Sequence, residues 1–157
     1  MKKFELTAES KINIFGKKLF RIKALISFGD VEEGETGGWI EKEENLEQSS
    51  GDAWVYGDAE VSGDAWVYGD AEVSGNAEVY GNADYTTIHG FGTQFRTTTF
   101  FQCEDKQIRV SCGCFLGTIP EFREQVKNTR EGKIAEEYLM IADLMEKHFV
   151  KEKESGE

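Results

Sequence analysis

Few residues of this chain carry the side chains that catalysis or metal binding requires, because it contains two histidines and three cysteines. His89 is the only credible general base, since His148 lies beside the apolar stripe of a predicted helix. Cys112 and Cys114 alternate on a predicted strand and could converge with Cys103 and His89 on zinc, but structural zinc sites usually use Cys-x-x-Cys pairs. We therefore expect no catalytic residue, no metal and no cofactor, and we interpret the cysteines as packing side chains.

A denser group of candidate binding residues begins at His89 and continues into the last third of the chain. It combines cationic side chains with phenylalanines, and the bend from Gly113 to Gly117 precedes a predicted helix N-terminus whose free amides favour anions. The combination predicts a nucleotide-type ligand bound by His89, Phe95, Arg96, Phe101, Arg109, Arg123, Arg130 and Lys133. The alternative interpretation is ordinary, with arginines paired to carboxylates and phenylalanines in the core.

Six near-identical hexapeptides that begin with Gly run from Gly51 to Thr86, with Ala and Val two positions apart in most of them. Short repeats of this kind predict a triangular β-helix, a hexapeptide-repeat solenoid with 18 residues per turn. In that register Val55 lies under Val73, Val61 under Val79, Val67 under Tyr85, and Trp54 under Glu72. Two complete turns are too few for a stable stack, so the flanking segments or a second subunit must complete it.

Bulky aromatic residues occupy the positions of the repeats that are predicted to point outward: Trp54, Tyr56, Trp66, Tyr68 and Tyr80. Rows of exposed aromatic side chains usually mark protein contacts. We expect either self-assembly through this surface or its coverage by the flanking units.

The chain divides into three predicted units: strands of an N-terminal cap in residues 1–29, the solenoid in residues 30–92 with its regular hexapeptides in 51–86, and a C-terminal unit in 93–157. The cap contains a hairpin that turns near Gly16. The C-terminal unit combines a β-hairpin with two helices, the first opened by a Thr118–Glu121 capping box. The fold class is therefore mainly β.

Charge is distributed unevenly along the chain, whose formal net charge is -12. Residues 30–84 hold 16 acidic side chains against one lysine, whereas residues 1–29 hold 7 basic and 2 acidic ones. The acidic segment disfavours binding to duplex nucleic acid. Since no apolar run could span a bilayer and no signal peptide is evident, we expect a cytosolic protein without membrane contact. A homodimer or homotrimer is the expected assembly.

Several motifs outside the repeats are similar to those of a known family. They are Arg21 to Leu25, Gly37 to Glu41, Asn45-Leu46, and Val110 to Phe115 followed by Glu121-Phe122. Together with the repeats, the chain resembles a family of small hexapeptide-repeat proteins from bacteriophages and prophages. The resemblance implies a phage setting, hence the cytoplasm of an infected host, and a β-helix; it does not imply a reaction.

Three functions follow as hypotheses. The first is a non-enzymatic phage accessory protein that sequesters a nucleotide-derived signal of host defence. The second is an inhibitor that docks its acidic, aromatic surface onto a nucleic-acid-binding host defence complex. The third and least favoured is an acyltransferase with His89 as base, since the repeats contain no histidine.

Overall fold

A computed structural model describes residues 2–49 and 51–150, so the last seven residues of the predicted 93–157 unit lie outside the described part. The strands are β1 (Phe4–Ile12), β2 (Lys18–Ala24), β3 (Thr36–Ile40), β4 (Trp54–Val55), β5 (Glu60–Val61), β6 (Glu72–Val73), β7 (Glu78–Val79), β8 (Tyr85–Phe91), β9 (Arg96–Gln102), β10 (Ile108–Cys112) and β11 (Phe115–Thr118). The helices are α1 (Ile119–Thr129) and α2 (Gly132–Phe149), and single 3-10 turns lie at Glu43–Asn45 and Asn82–Asp84.

The strands form three separate sheets, and none of the three closes on itself. A five-stranded sheet has the order β1-β2-β3-β5-β7, a four-stranded sheet has the order β11-β10-β9-β8, and β4 pairs with β6. The prediction of a triangular β-helix is therefore wrong, and the terms β-helix and solenoid do not describe this fold.

The predicted 18-residue pairing is nevertheless present where the repeats form strands. Val55 lies opposite Val73 and Val61 opposite Val79 in parallel register, as predicted. The third side of the repeats forms no strand ladder among the described residues. Val67 makes one isolated bridge, to Leu46, and Tyr85 is paired with Phe101 in the four-stranded sheet. Two-residue strands bury too little backbone to impose closure, so the longer antiparallel hairpins on either side determine the sheet order.

The N-terminal hairpin joins the repeats through β3. β1 and β2 pair antiparallel, β2 pairs antiparallel with β3, and β3 then pairs parallel with β5. Gly38 permits this contact, because a Cβ there would lie 2.7 Å from the backbone oxygen of Ala59 and 2.7 Å from Val55 Cγ1. The predicted hairpin is confirmed. Its Phe4, together with Phe28 from the segment after β2, lies edge-on to the Trp54 ring.

Two hydrophobic cores hold the chain together. One joins the alanines and valines of the repeats to the N-terminal strands and to Phe101. The other packs α1 and α2 on the four-stranded sheet around Phe100, Phe122 and Tyr138. The Thr118–Glu121 capping box is confirmed, since the Thr118 hydroxyl accepts from the Glu121 N–H and the Glu121 carboxylate accepts from the Thr118 N–H.

Candidate functional site

The acidic trough is an open depression of about 300 Å³ between the repeats and the C-terminal hairpin. The 29–30 turn, the repeat corners and the β8–β9 turn each contribute side chains. Its lining is Gly29, Asp30, Asp52, Tyr56, Asp70, Glu72, His89, Phe95, Arg96, Thr97, Gly113 and Cys114. Three of the predicted ligand residues, His89, Phe95 and Arg96, therefore come together here.

Carboxylates dominate the electrostatics of the acidic trough. Asp52 and Asp70 meet at one corner, where the Asp52 N–H donates to Asp70 Oδ1 at 3.1 Å. Burial raises the pKa of Glu72 above its usual range, although a hydrogen bond from the Ser111 hydroxyl at 3.3 Å counteracts this effect. Four carboxyl groups thus surround one arginine, Arg96, and the local field repels anions.

The β8–β9 turn presents the remaining groups of the acidic trough. Phe95 is 65% exposed and adopts a positive φ of 53°, a conformation that non-glycine residues seldom take. The Arg96 guanidinium passes close to Gly113, where an added Cβ would lie 3.2 Å from its central carbon, and it forms no ion pair with a described residue. His89 shares a hydrogen bond of 2.9 Å with the Thr97 hydroxyl. An aromatic ring and a cation are therefore accessible at this edge.

The other predicted ligand residues lie elsewhere. Arg109 makes a bidentate pair with Asp105, at 2.8 and 2.9 Å, and Arg123 on α1 pairs with Asp143 and Glu146 on α2.

Phe101 is fully buried in the core of the repeats. Arg130 borders a small cavity of about 50 Å³ beside Tyr138, and Lys133 is exposed on α2. The eight residues therefore do not form one site.

The aromatic platform consists of Trp66 and Tyr68, whose rings stack at 4.5 Å with an interplanar angle of 21°. Their exposed fractions are 46% and 51%. The backbone beneath them is fixed, because the Trp66 N–H donates to Asn82 Oδ1 at 3.0 Å and the Tyr85 hydroxyl donates to the Trp66 carbonyl. The result is a solvent-exposed pair of stacked rings in which the Trp66 backbone is anchored by hydrogen bonds.

An acidic groove of about 480 Å³ adjoins the aromatic platform. Its lining is Glu43, Glu44, Leu46, Glu47, Gln48, Ser49 and Trp66. Glu43 makes one exposed ion pair, with Lys2 at 3.2 Å, and Glu47 Oε1 accepts from the Gly69 N–H at 2.9 Å. Glu44 is exposed and has no ion-pair partner among the described residues. The Trp66 side chain and the exposed carboxylate of Glu44 thus border the same groove.

The other predicted contact aromatics are partly or wholly covered. Trp54, expected to point outward, is instead fully buried, because Phe4 and Phe28 pack on its ring. Tyr56 lines the acidic trough. Tyr80 donates a hydrogen bond of 3.1 Å to Glu60 and meets the Phe15 ring edge-on at 5.1 Å. Coverage by the flanking unit therefore accounts for Trp54 and for part of the Tyr80 surface.

Sequence reasoning gave an acidic surface a docking role in one hypothesis, but it named none of the carboxylates that line the acidic trough and the acidic groove. The Asp52 and Asp70 contact follows from their 18-residue separation, but Asp30 and Glu44 enter through irregular segments that carry no periodic signal. It also missed the exposed Met140 and Leu144 on α2, 69% and 56% exposed.

The cysteines occupy three different environments. Cys103 is buried, Cys112 is half-buried and accepts from the Thr98 hydroxyl at 3.3 Å, and Cys114 is exposed. Burial raises the pKa of the Cys103 thiol. Within residues 2–49 and 51–150, no cluster of three or more His, Cys, Asp or Glu side chains has the geometry to hold a metal ion.

Comparison with known proteins gives no assignment, since neither a protein-family model nor a curated protein matches this chain. Neither of the two described helices is both long enough and apolar enough to cross a bilayer.

Proposed function

We propose that this protein is a non-enzymatic binding protein that docks its aromatic platform and the adjoining acidic groove onto an arginine-bearing surface of a protein partner. The observation that supports this proposal best is the stacked, half-exposed pair of Trp66 and Tyr68 beside Glu43 and Glu44. Tryptophan, tyrosine and arginine are the residues that contribute most binding energy in protein interfaces.

Arginine suits this surface better than lysine does. A guanidinium group is planar, so it can stack on the free face of the Trp66 indole, and its fork of N–H donors can reach a carboxylate such as that of Glu44. The indole ring is itself flat, and Tyr68 stacks nearly parallel on one side of it, so a planar guanidinium group suits this surface better than a compact ammonium group does. The surrounding segment, residues 30–84, holds 16 acidic side chains against one lysine, so it attracts a basic partner at long range.

Nucleic-acid-binding proteins present arginine-rich surfaces of this kind, because they must neutralise phosphates. The carboxylates of the acidic groove beside the aromatic platform would compete with the nucleic acid for such a surface. The resemblance to phage and prophage proteins supplies a setting for the proposal, an inhibitor of a nucleic-acid-binding host defence complex in the host cytoplasm.

Titration of the protein into a dye-labelled oligoarginine peptide, followed by the fluorescence anisotropy of the dye, tests this proposal. A labelled oligolysine peptide of equal length is the comparison. We expect the arginine peptide to bind about tenfold tighter, because only guanidinium groups stack and bridge together. Trp66→Ala should weaken arginine binding by about tenfold or more, and rising salt should weaken it further. Phe95→Ala removes an even more exposed aromatic ring, 65% against 46% for Trp66, at a different place and serves as the matched control.

Two results would contradict the docking proposal. If Trp66→Ala bound the arginine peptide as the unaltered protein does, the aromatic platform would not be the contact surface. If Phe95→Ala lost binding instead, the acidic trough would be the site.

A second candidate function is capture of a nucleotide-type molecule, favoured by the convergence of His89, Phe95 and Arg96 in the acidic trough. A base could stack on Phe95 and a phosphate could pair with Arg96, but the four carboxyl groups oppose the phosphate. Calorimetry with cyclic and ADP-ribose-type nucleotides tests this hypothesis. An Asp52→Asn, Asp70→Asn double variant should bind more tightly than the unaltered protein if Arg96 holds a phosphate, and absence of heat from both proteins would refute the hypothesis.

A further inference from the structure

We infer that α2 is a dimerisation element and that its partner is α2 of a second copy of this chain, packed antiparallel about a twofold axis at the level of Ala142. This inference does not depend on the proposed docking function, because it concerns the opposite end of the chain and a different set of side chains. Of the two expected assemblies, a homodimer and a homotrimer, it specifies the homodimer.

One face of α2 carries an exposed apolar pair that no residue in 2–49 or 51–150 covers. Met140 is 69% exposed and Leu144 is 56% exposed, while Tyr138, Ile141 and Met145 on the other face are buried against α1 and the four-stranded sheet. Residues four apart on a helix are neighbours on its surface, so Met140 and Leu144 form one continuous patch.

Charged residues extend the same stripe in both directions. At 100° per residue, Lys133, Glu137 and Lys147 lie within about 40° of the line through Met140 and Leu144. Lys133 and Lys147 are exposed and Glu137 is half-buried, and none of the three forms an ion pair within the described residues. The stripe therefore has an apolar centre flanked by charges that have no ion-pair partner in the described part of the chain.

The stripe is complementary to itself in one orientation. If two copies of α2 lie antiparallel with their centres at Ala142, Met140 of one copy faces Leu144 of the other, because both stand two residues from the centre. Glu137 and Lys147 stand five residues from the centre on opposite sides, so each Glu137 faces Lys147 of the second copy. A twofold axis repeats both contacts, which gives two apolar contacts and two opposite-charge pairs.

The length of the helix sets the scale of this interface. Eighteen residues at about 1.5 Å per residue span about 27 Å, and contact along one face of a single helix of this length buries less area than a permanent interface does. Two pairs of apolar side chains and two surface ion pairs support a reversible dimer with a dissociation constant on the order of 10–100 µM.

Analytical ultracentrifugation of the full chain over about two decades of concentration, up to about 500 µM, tests the existence of the dimer. We expect the weight-average mass to rise from that of one chain towards that of two. A Met140→Ser, Leu144→Ser double variant should stay monomeric throughout. The matched control is Ile14→Ser, Phe15→Ser, which removes a comparable exposed apolar patch, 75% and 62% exposed, at the tip of the β1–β2 hairpin. This control should dimerise as the unaltered chain does.

Charge reversal tests the antiparallel register. Glu137→Lys places two lysines opposite each other at both pairs, and Lys147→Glu places two glutamates opposite each other, so each variant should dimerise at least about tenfold more weakly. A chain carrying both reversals restores both pairs and should dimerise as before. An equimolar mixture of the two single variants should also form a dimer, because each pair then joins a lysine of the Glu137→Lys chain to a glutamate of the Lys147→Glu chain.

The following results would overturn the inferred α2 dimer. A monomer at every concentration overturns it, and so does a dimer that the serine pair on α2 leaves intact or that the hairpin-tip control abolishes. If the single charge reversals weaken the dimer but neither the doubly reversed chain nor the mixture recovers it, the helices do not pack in the antiparallel register. Circular dichroism of each variant distinguishes loss of the dimer from loss of the fold.

Discussion

The close contact of β3 with the repeats gives the sharpest test of the fold, through the substitution Gly38→Ala. Gly38 is buried, and an added Cβ would lie 2.7 Å from the Ala59 backbone oxygen, 2.7 Å from Val55 Cγ1 and 3.3 Å from the Tyr56 backbone oxygen. Ordinary contacts of a Cβ begin near 3.4 Å. Two of these three neighbours are backbone atoms, which cannot rotate away, so β3 must move.

The cost follows from what that movement disturbs. Overpacking by one methyl group in a tight core costs about 1–3 kcal/mol. The Ala59 oxygen also accepts the Trp39 N–H at 2.9 Å, and weakening this hydrogen bond adds about 1 kcal/mol. We expect Gly38→Ala to lower the free energy of unfolding by about 2–4 kcal/mol, which corresponds to a fall in Tm of about 5–15 °C for a chain of this size.

Gly81→Ala is the matched control. Gly81 has an extended backbone with a φ of -164°, and a Cβ there would meet nothing within 4 Å. Its replacement should be neutral or should stabilise the protein by about 0.4–1 kcal/mol through the unfolded state. Urea unfolding followed by circular dichroism measures both variants, provided that the slope of the transition is unchanged. A difference below about 1 kcal/mol between the two variants would mean that β3 does not lie against β5 as the structure shows.

Three further predictions concern single side chains. Thr118→Ala removes the hydroxyl that accepts from the Glu121 N–H, and it should cost about 1 kcal/mol in urea unfolding, whereas Thr118→Ser should cost less than half of that. Burial raises the pKa of Glu72 in the folded protein, so the protonated carboxyl group stabilises the fold below the unfolded pKa, and this stabilisation is lost as pH rises through the folded pKa. Glu72→Gln should therefore flatten the fall in the free energy of unfolding above about pH 4.3. An unchanged pH profile would contradict this expectation. A thiol reagent at neutral pH should label Cys114 in the folded protein and Cys103 only on unfolding, since Cys114 is exposed and Cys103 is buried with a raised pKa. Labelling of Cys103 at the same rate as Cys114 would show that the core around it opens.

The sequence predicted local pairing better than it predicted the complete fold. The pairing of Val55 with Val73 follows from a fixed 18-residue spacing, and the Thr118 capping box follows from a four-residue motif. Closure of the repeats into a coil requires a third ladder, and Val67 forms only one bridge there. Repeat periodicity reports which residues share a face, but it does not report whether the flanking hairpins will compete for the same strand edges.

In the candidate sites too, the sequence predicted local contacts better than contacts between distant segments. Alternation along the repeats predicts that Trp54 points away from the valines, and only the packing of Phe4 and Phe28 from a distant segment makes that outer position part of the core. The pairing of Arg109 with Asp105 is local and could have been anticipated from the sequence, whereas the pairing of Arg123 with Asp143 requires the packing of α1 on α2. Contacts over long sequence separations therefore decide which predicted binding residues remain available.

Charge pairing also explains why the acidic half of the chain is the better candidate for binding. The guanidinium groups of Arg109 and Arg123 are already held by carboxylates, so an anionic ligand would have to compete with partners fixed by the fold. Glu44 has no such partner among the described residues, and it stands beside a ring pair whose backbone is fixed by hydrogen bonds. Binding there requires little reorganisation of the protein, because Glu44 would gain a new ion pair, whereas Arg109 and Arg123 would have to exchange an existing one. A cationic partner at the aromatic platform is consequently favoured over an anionic partner at Arg109 or Arg123.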